Sequence, residues 1–293
     1  MDPFAAEPEF FTVRELAEFL RVKERKVYDL AEKGSVPCTR ATGKLLFPRR
    51  AIRAWIAASS DGVPGGMDRP NTFLGSHDPL LERALRDCRS GMATLFDSSL
   101  DGLRRFAAGE GIATGLHIYD AALDQWNIPF AKRYCADANA VLVGWAKRQR
   151  GLVFRKEAGD IRGMEDLIGK RVVRRQAEAG TEAIFEFHLQ SSLVESESFE
   201  SIGPVHSEQD AVLAVLQGRA DVCFGLRSVS EPYGLGFSPV TVEHFDLLVD
   251  RAAWFDEPMQ TFMQHCGTSS FKALATSAGG YDMAPLGVVR WNA

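Results

Sequence analysis

With 293 residues, 45% of them hydrophobic and 25% charged, the chain has the make-up of a folded protein of two units and is too apolar to be disordered. Five widely spaced cysteines without a C-x-x-C pair exclude a disulfide framework and a clustered zinc site, and no apolar run approaches the length of a membrane span. The net charge of −5 hides an asymmetry: residues 11–58 hold eleven Lys and Arg against five Asp and Glu, about +6, as a nucleic-acid-binding module joined to an acidic body would.

No basic segment followed by an apolar run opens the chain, so a reducing cytoplasm is the expected setting, with no membrane partner. The first predicted helix is Phe11-Thr-Val-Arg-Glu-Leu-Ala-Glu-Phe-Leu20, with Thr12 as cap, Glu15 at the capping-box position, and Leu16, Phe19 and Leu20 on one face. A second, roughly Lys23 to Glu32, follows across Arg21-Val22; Val27 and Leu30 point inward and Gly34 stops it. So tight a joint makes a helix-turn-helix. Pro37 to Phe47, with Thr42-Gly43 at its turn, reads as a small hairpin or wing, and Pro48-Arg49-Arg50 opens a third helix with Ile52, Trp55 and Ile56 on one face.

In that arrangement Lys23, Glu24, Arg25, Lys26 and Tyr28 of the second helix enter a major groove, while Arg40, Lys44, Arg49 and Arg50 hold the backbone. Any one of these charges is also what an ordinary solvated surface carries. The segment resembles the excisionase or MerR-like family of winged helix-turn-helix domains. The carrying residues are 11–20, Val22, Lys26-Val-Tyr28, Lys33-Gly34, Pro37, Arg40, Lys44-Leu-Leu-Phe-Pro-Arg-Arg50, Ile52 and Trp55. The resemblance implies specific DNA binding, with the tyrosine on the recognition helix and the arginines beside the wing.

Residues 59–71, rich in Gly, Pro, Ser and Asp, read as a linker between a head at 10–58 and a body at 72–293. The body alternates short apolar strands with amphipathic helices, the α/β signature. Residues 73–78 read as a strand running into a loop, and further strands are expected at 92–95, 112–118, 141–145, 151–155, 171–174 and 220–226, with one or two more in 237–249. Helices are expected at 79–88, 100–108, 182–190, 208–217, 257–265 and 269–276. Ser76, Ser98, Ser99 and Thr181 stand where strands give way to helices. Hydroxyls and amides there can hold an anion without a lysine or arginine, although each is equally a common cap or turn residue.

Gly75-Ser-His-Asp78, Ser99-Leu-Asp-Gly-Leu103, Gly115-Leu-His117 with Asp120, and Asn127-Ile-Pro-Phe130 begin an ordered set of motifs. Arg175-Gln176 with Gly180-Thr181, Ala211-Val212 through Gly218-Arg-Ala-Asp221, and Gly280-Tyr-Asp282 complete it. The set resembles the periplasmic-binding-protein-like domain of bacterial regulators and is similar to molybdate-binding proteins. That implies a multidomain protein, a winged helix-turn-helix head plus a two-lobed α/β type II body, with lobe one at about 72–150 and 238–293 and lobe two at about 151–237. It further implies Ser76 and Ser99 on one cleft wall, Gly180 and Thr181 on the other, His77, His117 and Tyr233 as lesser candidates, and molybdate, tungstate or a molybdenum-cofactor-related effector. Ala179 stands where many such proteins carry serine, and Glu178 would repel an anion if it faced inward. An organic effector therefore stays open.

No nucleophile elbow, Walker sequence or H-E-x-x-H is present, so no enzyme, catalytic residue, metal or cofactor is expected. An excisionase-like DNA-structuring protein is the alternative, but it has no need of over 200 further residues. Operator symmetry makes a homodimer on double-stranded DNA, responsive to a small anionic ligand, the expected assembly.

Overall fold

A computed structural model of the protein describes residues 9–40, 43–58, 69–136 and 138–293. The chain divides into two units, Met1–Asp68 and Arg69–Ala293. Thr42 of the expected wing turn, and the expected linker through Asp68, lie outside the described residues.

In the first unit Thr12 caps helix α1 (Val13–Leu20), accepting from the Glu15 amide while the Glu15 carboxylate accepts from the Thr12 amide. The helix ends on Arg21 in the left-handed region (φ 56°), which turns the chain within three residues into α2 (Glu24–Glu32). Strand β1 (Phe10–Phe11) pairs antiparallel with β2 (Phe47–Pro48), and α3 (Arg49–Ala58) follows. Between α2 and β2 the wing closes through paired Thr39 and Leu46, with Gly43 at φ 75°. Phe11, Leu16, Val27, Val36, Phe47 and Ile52 form one core. Fully burying a side chain such as Phe47 contributes about 1.5–3 kcal/mol, substantial for so small a unit.

The second unit opens with β3 (Thr72–Ser76), α4 (Pro79–Asp87), β4 (Ala93–Asp97), α5 (Ser99–Ala107) and β5 (Ala113–Leu116). A small hairpin of β6 (Tyr119–Asp120) and β7 (Gln125–Trp126) leads into α6 (Ile128–Cys135), a helix that the sequence reading leaves unassigned. The long strand β8 (Ala140–Phe154) crosses into β9 (Arg171–Arg175), α7 (Gly180–Ser191), β10 (Glu200–Val205), α8 (Glu208–Leu216), β11 (Val222–Leu226) and the short α9 (Arg227–Ser230). A second long strand, β12 (Gly236–Asp250), returns to α10 (Arg251–Trp254), α11 (Glu257–Gly267), α12 (Ser269–Ser277), β13 (Tyr281–Asp282) and β14 (Val289–Asn292).

These strands make one mixed sheet in the order β10-β9-β11-β8-β12-β5-β3-β4, with β13 and β14 also paired to β8. Antiparallel β8 and β12 run through its centre. Buried clusters around Phe73, Trp145 and Phe262, and around Leu103 and Leu142, fill one half; clusters around Phe185 and Phe224, and around Val212 and Val215, fill the other. The body is thus a curled, two-lobed α/β fold of type II. Helix α5 lies directly on β3: a Cβ at Gly102 would stand 2.4 Å from the Gly75 Cα, and Gly75 itself has φ 92°.

One expectation fails instructively. The strands expected at 141–145 and 151–155 are a single strand, because the polar residues between them do not break it. Arg148 and Arg150, on the same face of β8, find carboxylate partners, so their charge is accommodated inside the sheet.

Candidate ligand-binding cleft and nucleic-acid interface

A cleft of about 420 Å³ opens where strands of both lobes hand over to helices. From lobe one it is lined by Ser76 at the end of β3 and His77 after it, Phe96 to Ser98 at the end of β4, and His117 after β5. From lobe two come Arg175 at the end of β9 and Gln176 after it, Gly180 and Thr181 opening α7, and His206 to Gln209 around the start of α8. Ser99 lies directly behind this surface: its hydroxyl is 2.7 Å from that of Ser76 and accepts from the His117 amide at 3.1 Å. Since Ser99 and Ser76 share one mutual hydrogen bond, one of the two protons always remains to be donated elsewhere.

Ser98 acts as a cap, accepting from the Asp101 amide at 3.1 Å. Ser207 does the same for α8, accepting from Asp210. Helix α7 has no such device, because its N-cap is Ala179, which makes no side-chain bond. Helical geometry leaves the amides of Gly180 and Thr181 without intrahelical acceptors, at the positive end of the helix dipole. The missing serine hydroxyl thus leaves an uncapped helix start in the cleft wall. Gly180 also packs against His117, so a Cβ there would lie 2.8 Å from the His117 carbonyl oxygen. Gly180→Val should cost about 1–3 kcal/mol of overpacking and weaken ligand binding in the cleft, which a denaturation midpoint and a ligand titration would both report.

Thr181 lines the cleft. Its hydroxyl donates to Glu208 Oε1 at 2.6 Å, so its proton is already committed. Glu208 is buried, lies 3.2 Å from Arg175 Nη1, and belongs to a chain of charges behind the cleft that the sequence reading misses. Arg150 Nη1 donates to Glu208 Oε1 at 2.9 Å, and Arg150 Nε to Glu243 Oε2 at 2.8 Å. Glu243 also pairs with Arg148, whose Nη1 donates to Asp78 at 2.8 Å. Tyr281, from the Gly280-Tyr-Asp282 motif, donates to the same Asp78 oxygen at 2.7 Å. Burial alone would raise the Glu208 carboxyl, but Arg150 and Arg175 outweigh it and bring it down to about 2. The cleft therefore has an ionised carboxylate in its wall. Glu178, the acid of concern in the sequence, is instead exposed and outside the lining.

His77 pairs with Glu82 at 3.0 Å and sets its ring edge against Phe96. His117 stacks on Phe245 with Nδ1 3.2 Å from Glu243; burial pushes its pKa down. Tyr233 is not brought to the cleft: it sits on a short 3-10 turn, Glu231–Tyr233, and is exposed. No group of His, Cys, Asp and Glu suited to hold a metal occurs among the described residues.

On the head, α2 buries Val27 and Ala31 and exposes Arg25, Lys26 and Tyr28, and Lys23 is exposed just before its first turn. Tyr28 lines a concavity with Arg40 and Lys44 of the wing, so helix and wing present one surface. Arg49 is stacked over the Phe11 ring at 4.0 Å and so serves the packing of the head. The Arg50 side chain lies outside the described residues.

Residues 81–267 match the PBP superfamily domain and residues 10–60 a helix-turn-helix domain. The chain belongs to the PBP superfamily and carries an excisionase-like helix-turn-helix domain at its N-terminal end. It is 22% identical to the uncharacterized protein YvgK of Bacillus subtilis (strain 168), over 95% of this chain and 97% of that one. Among solved structures it is similar to lactococcal OpuAC complexed with glycine betaine (13% identity, 68% of this chain and 84% of that one, TM-score 0.48). It is also similar to an ABC-type phosphate transport receptor from Vibrio cholerae (16% identity, 72% and 98%, TM-score 0.45). A DNA-binding type of domain and a ligand-binding type of domain therefore share one chain. No helix among the described residues is long and apolar enough to cross a membrane.

Proposed function

We propose that the protein is a cytoplasmic, ligand-responsive transcription regulator and not an enzyme: the head binds double-stranded DNA and the body binds a small anionic effector. The observation that carries this reading is the uncapped start of α7 in a cleft that Ser76 also lines, with Ser99 hydrogen-bonded behind it, in a chain that also bears a helix-turn-helix. Amides at a free helix start and a spare hydroxyl proton are what an anion needs. Ligand binding favours the closed arrangement of the lobes, and a homodimer formed through the bodies converts closure into a change of head spacing. A DNA-structuring accessory role leaves the cleft without a use.

Molybdate, tungstate or a molybdenum-cofactor-related ligand is the effector that the resemblance to molybdate-binding proteins favours. Calorimetric titration of the full chain with molybdate and tungstate, with sulfate and phosphate as controls, tests it. Selective binding near a micromolar dissociation constant supports a simple oxyanion sensor. Absence of binding by all four removes the simple oxyanions and leaves an organic anion as effector.

A further inference from the structure

The cleft offers hydrogen-bond donors and acceptors. The donors come from both walls: the spare proton of the Ser76 and Ser99 pair from lobe one, and the first amides of α7, which no side chain caps, from lobe two. They define a place for one anionic group, which itself becomes the cap of α7. The lobe-two wall also offers acceptors: Gln176 Oε1 and Glu208 Oε2 are buried atoms without a hydrogen-bond partner on residues that line the cleft. Two lining nitrogens are likewise without a hydrogen bond, but each already lies 3.2 Å from a carboxylate: Arg175 Nη1 from Glu208 Oε1 and His117 Nδ1 from Glu243 Oε2. Glu208 as a whole is only 6% exposed, and its other oxygen is already occupied by Thr181, Arg150 and the Arg175 guanidinium. Thr181, having given its proton to Glu208, presents only lone pairs.

A buried acceptor left unpaired is costly, and a buried carboxylate oxygen more so. A fully deprotonated tetrahedral oxyanion has no hydrogen to give and would add lone pairs against lone pairs. About 420 Å³ is also the scale of pockets that take organic ligands, and Phe96 supplies an apolar stretch of wall.

We infer that the effector is a small organic acid that also bears a hydroxyl or ammonium group, its acid group seated at α7 and its donor directed to Gln176 and Glu208. The inference rests on the reading of the cleft as the effector site, and it makes Gln176 and Glu208 the residues that select the ligand.

The test is a thermal-shift screen of the full chain at neutral pH with two panels. One holds molybdate, tungstate and sulfate; the other holds amino acids and hydroxycarboxylic acids of three to six carbons. The expected result is a binder from the second panel whose analogue lacking the hydroxyl or amino group binds about tenfold to a hundredfold more weakly. In Gln176→Leu that discrimination shrinks while the midpoint of the free protein is unchanged. Glu208→Gln is the second variant and should reduce the same ratio. A bare oxyanion that binds more tightly than every acid of the second panel, or an analogue that binds as well as its parent, overturns the inference and leaves the cleft as effector site. If no compound of either panel shifts the midpoint, the effector-site reading falls, and the inference with it.

Discussion

Replacing Glu243 by glutamine should lower the stability of the body by about 3–5 kcal/mol, the usual cost of removing one partner from a buried ion pair. Glu243 is fully buried and serves two guanidinium groups that are themselves buried, Arg148 and Arg150. Glutamine preserves the shape but turns one acceptor into a donor facing Arg150, and it leaves Arg148, Arg150 and Arg175 with only Glu208 and Asp78 to balance them, one positive charge in excess. Against a total stability of roughly 5–15 kcal/mol for an ordinary domain, such a loss brings the body close to unfolding. Urea titration followed by tryptophan fluorescence measures it, since Trp145 is buried beside Phe245. A difference below about 1 kcal/mol would show that the buried charges contribute little to the fold.

The same variant makes a prediction about pH. Burial would raise the Glu243 carboxyl, but Arg148 and Arg150, with His117, hold it well below its ordinary 4.5. A carboxyl whose pKa is lower in the folded than in the unfolded chain stabilises above the unfolded value, and that stability is lost as pH falls through the folded one. The gap between the wild-type protein and Glu243→Gln should therefore be constant from neutral pH down to about 5 and close below 4.5. Glu208, brought down to about 2, adds to the acid sensitivity of the wild type over the interval from 4.5 to 2. A gap that widens in acid would contradict the assignment.

On the head, Arg25→Ala and Lys26→Ala should each weaken DNA binding by about 1–3 kcal/mol if the side chain reads a base edge, or lower the slope of log K against log salt by about one if it holds a phosphate. Both residues are exposed on α2, whose inner face is occupied by Val27 and Ala31, so neither change removes packing from the core. The control is Arg83→Ala, an exposed body arginine paired to Asp87, which should leave both affinity and salt slope unchanged. The measurement is fluorescence anisotropy on a duplex recovered by selection from a random pool, repeated at several salt concentrations. Equal losses for all three variants would mean that general surface charge, not a recognition helix, binds the DNA.

What was legible in the sequence was local. The Thr12 and Glu15 capping box and the stop at Gly34 are decided within a few residues, so spacing sufficed. The buried charge chain was not legible, because Arg150 meets Glu208 and Glu243 across 58 and 93 residues of sequence. Without those partners, Lys147-Arg-Gln-Arg150 resembles the polar gap between two strands. Thr181 was found as a cleft residue, yet the destination of its proton depends on Glu208, which only the fold brings near. Tyr233 shows the converse: a residue carried over from a resemblance can sit outside the lining altogether. The strand at β10 went unread because it is mostly exposed and lacks the apolar alternation that marks a half-buried strand.

Coupling between the cleft and the head is tested most directly by the DNA affinity of the full chain with and without an effector that calorimetry shows to fill the cleft. Coupling of the ordinary size shifts that affinity by about fivefold to a hundredfold, in either direction. Binding curves that superimpose with the cleft filled and empty would contradict it.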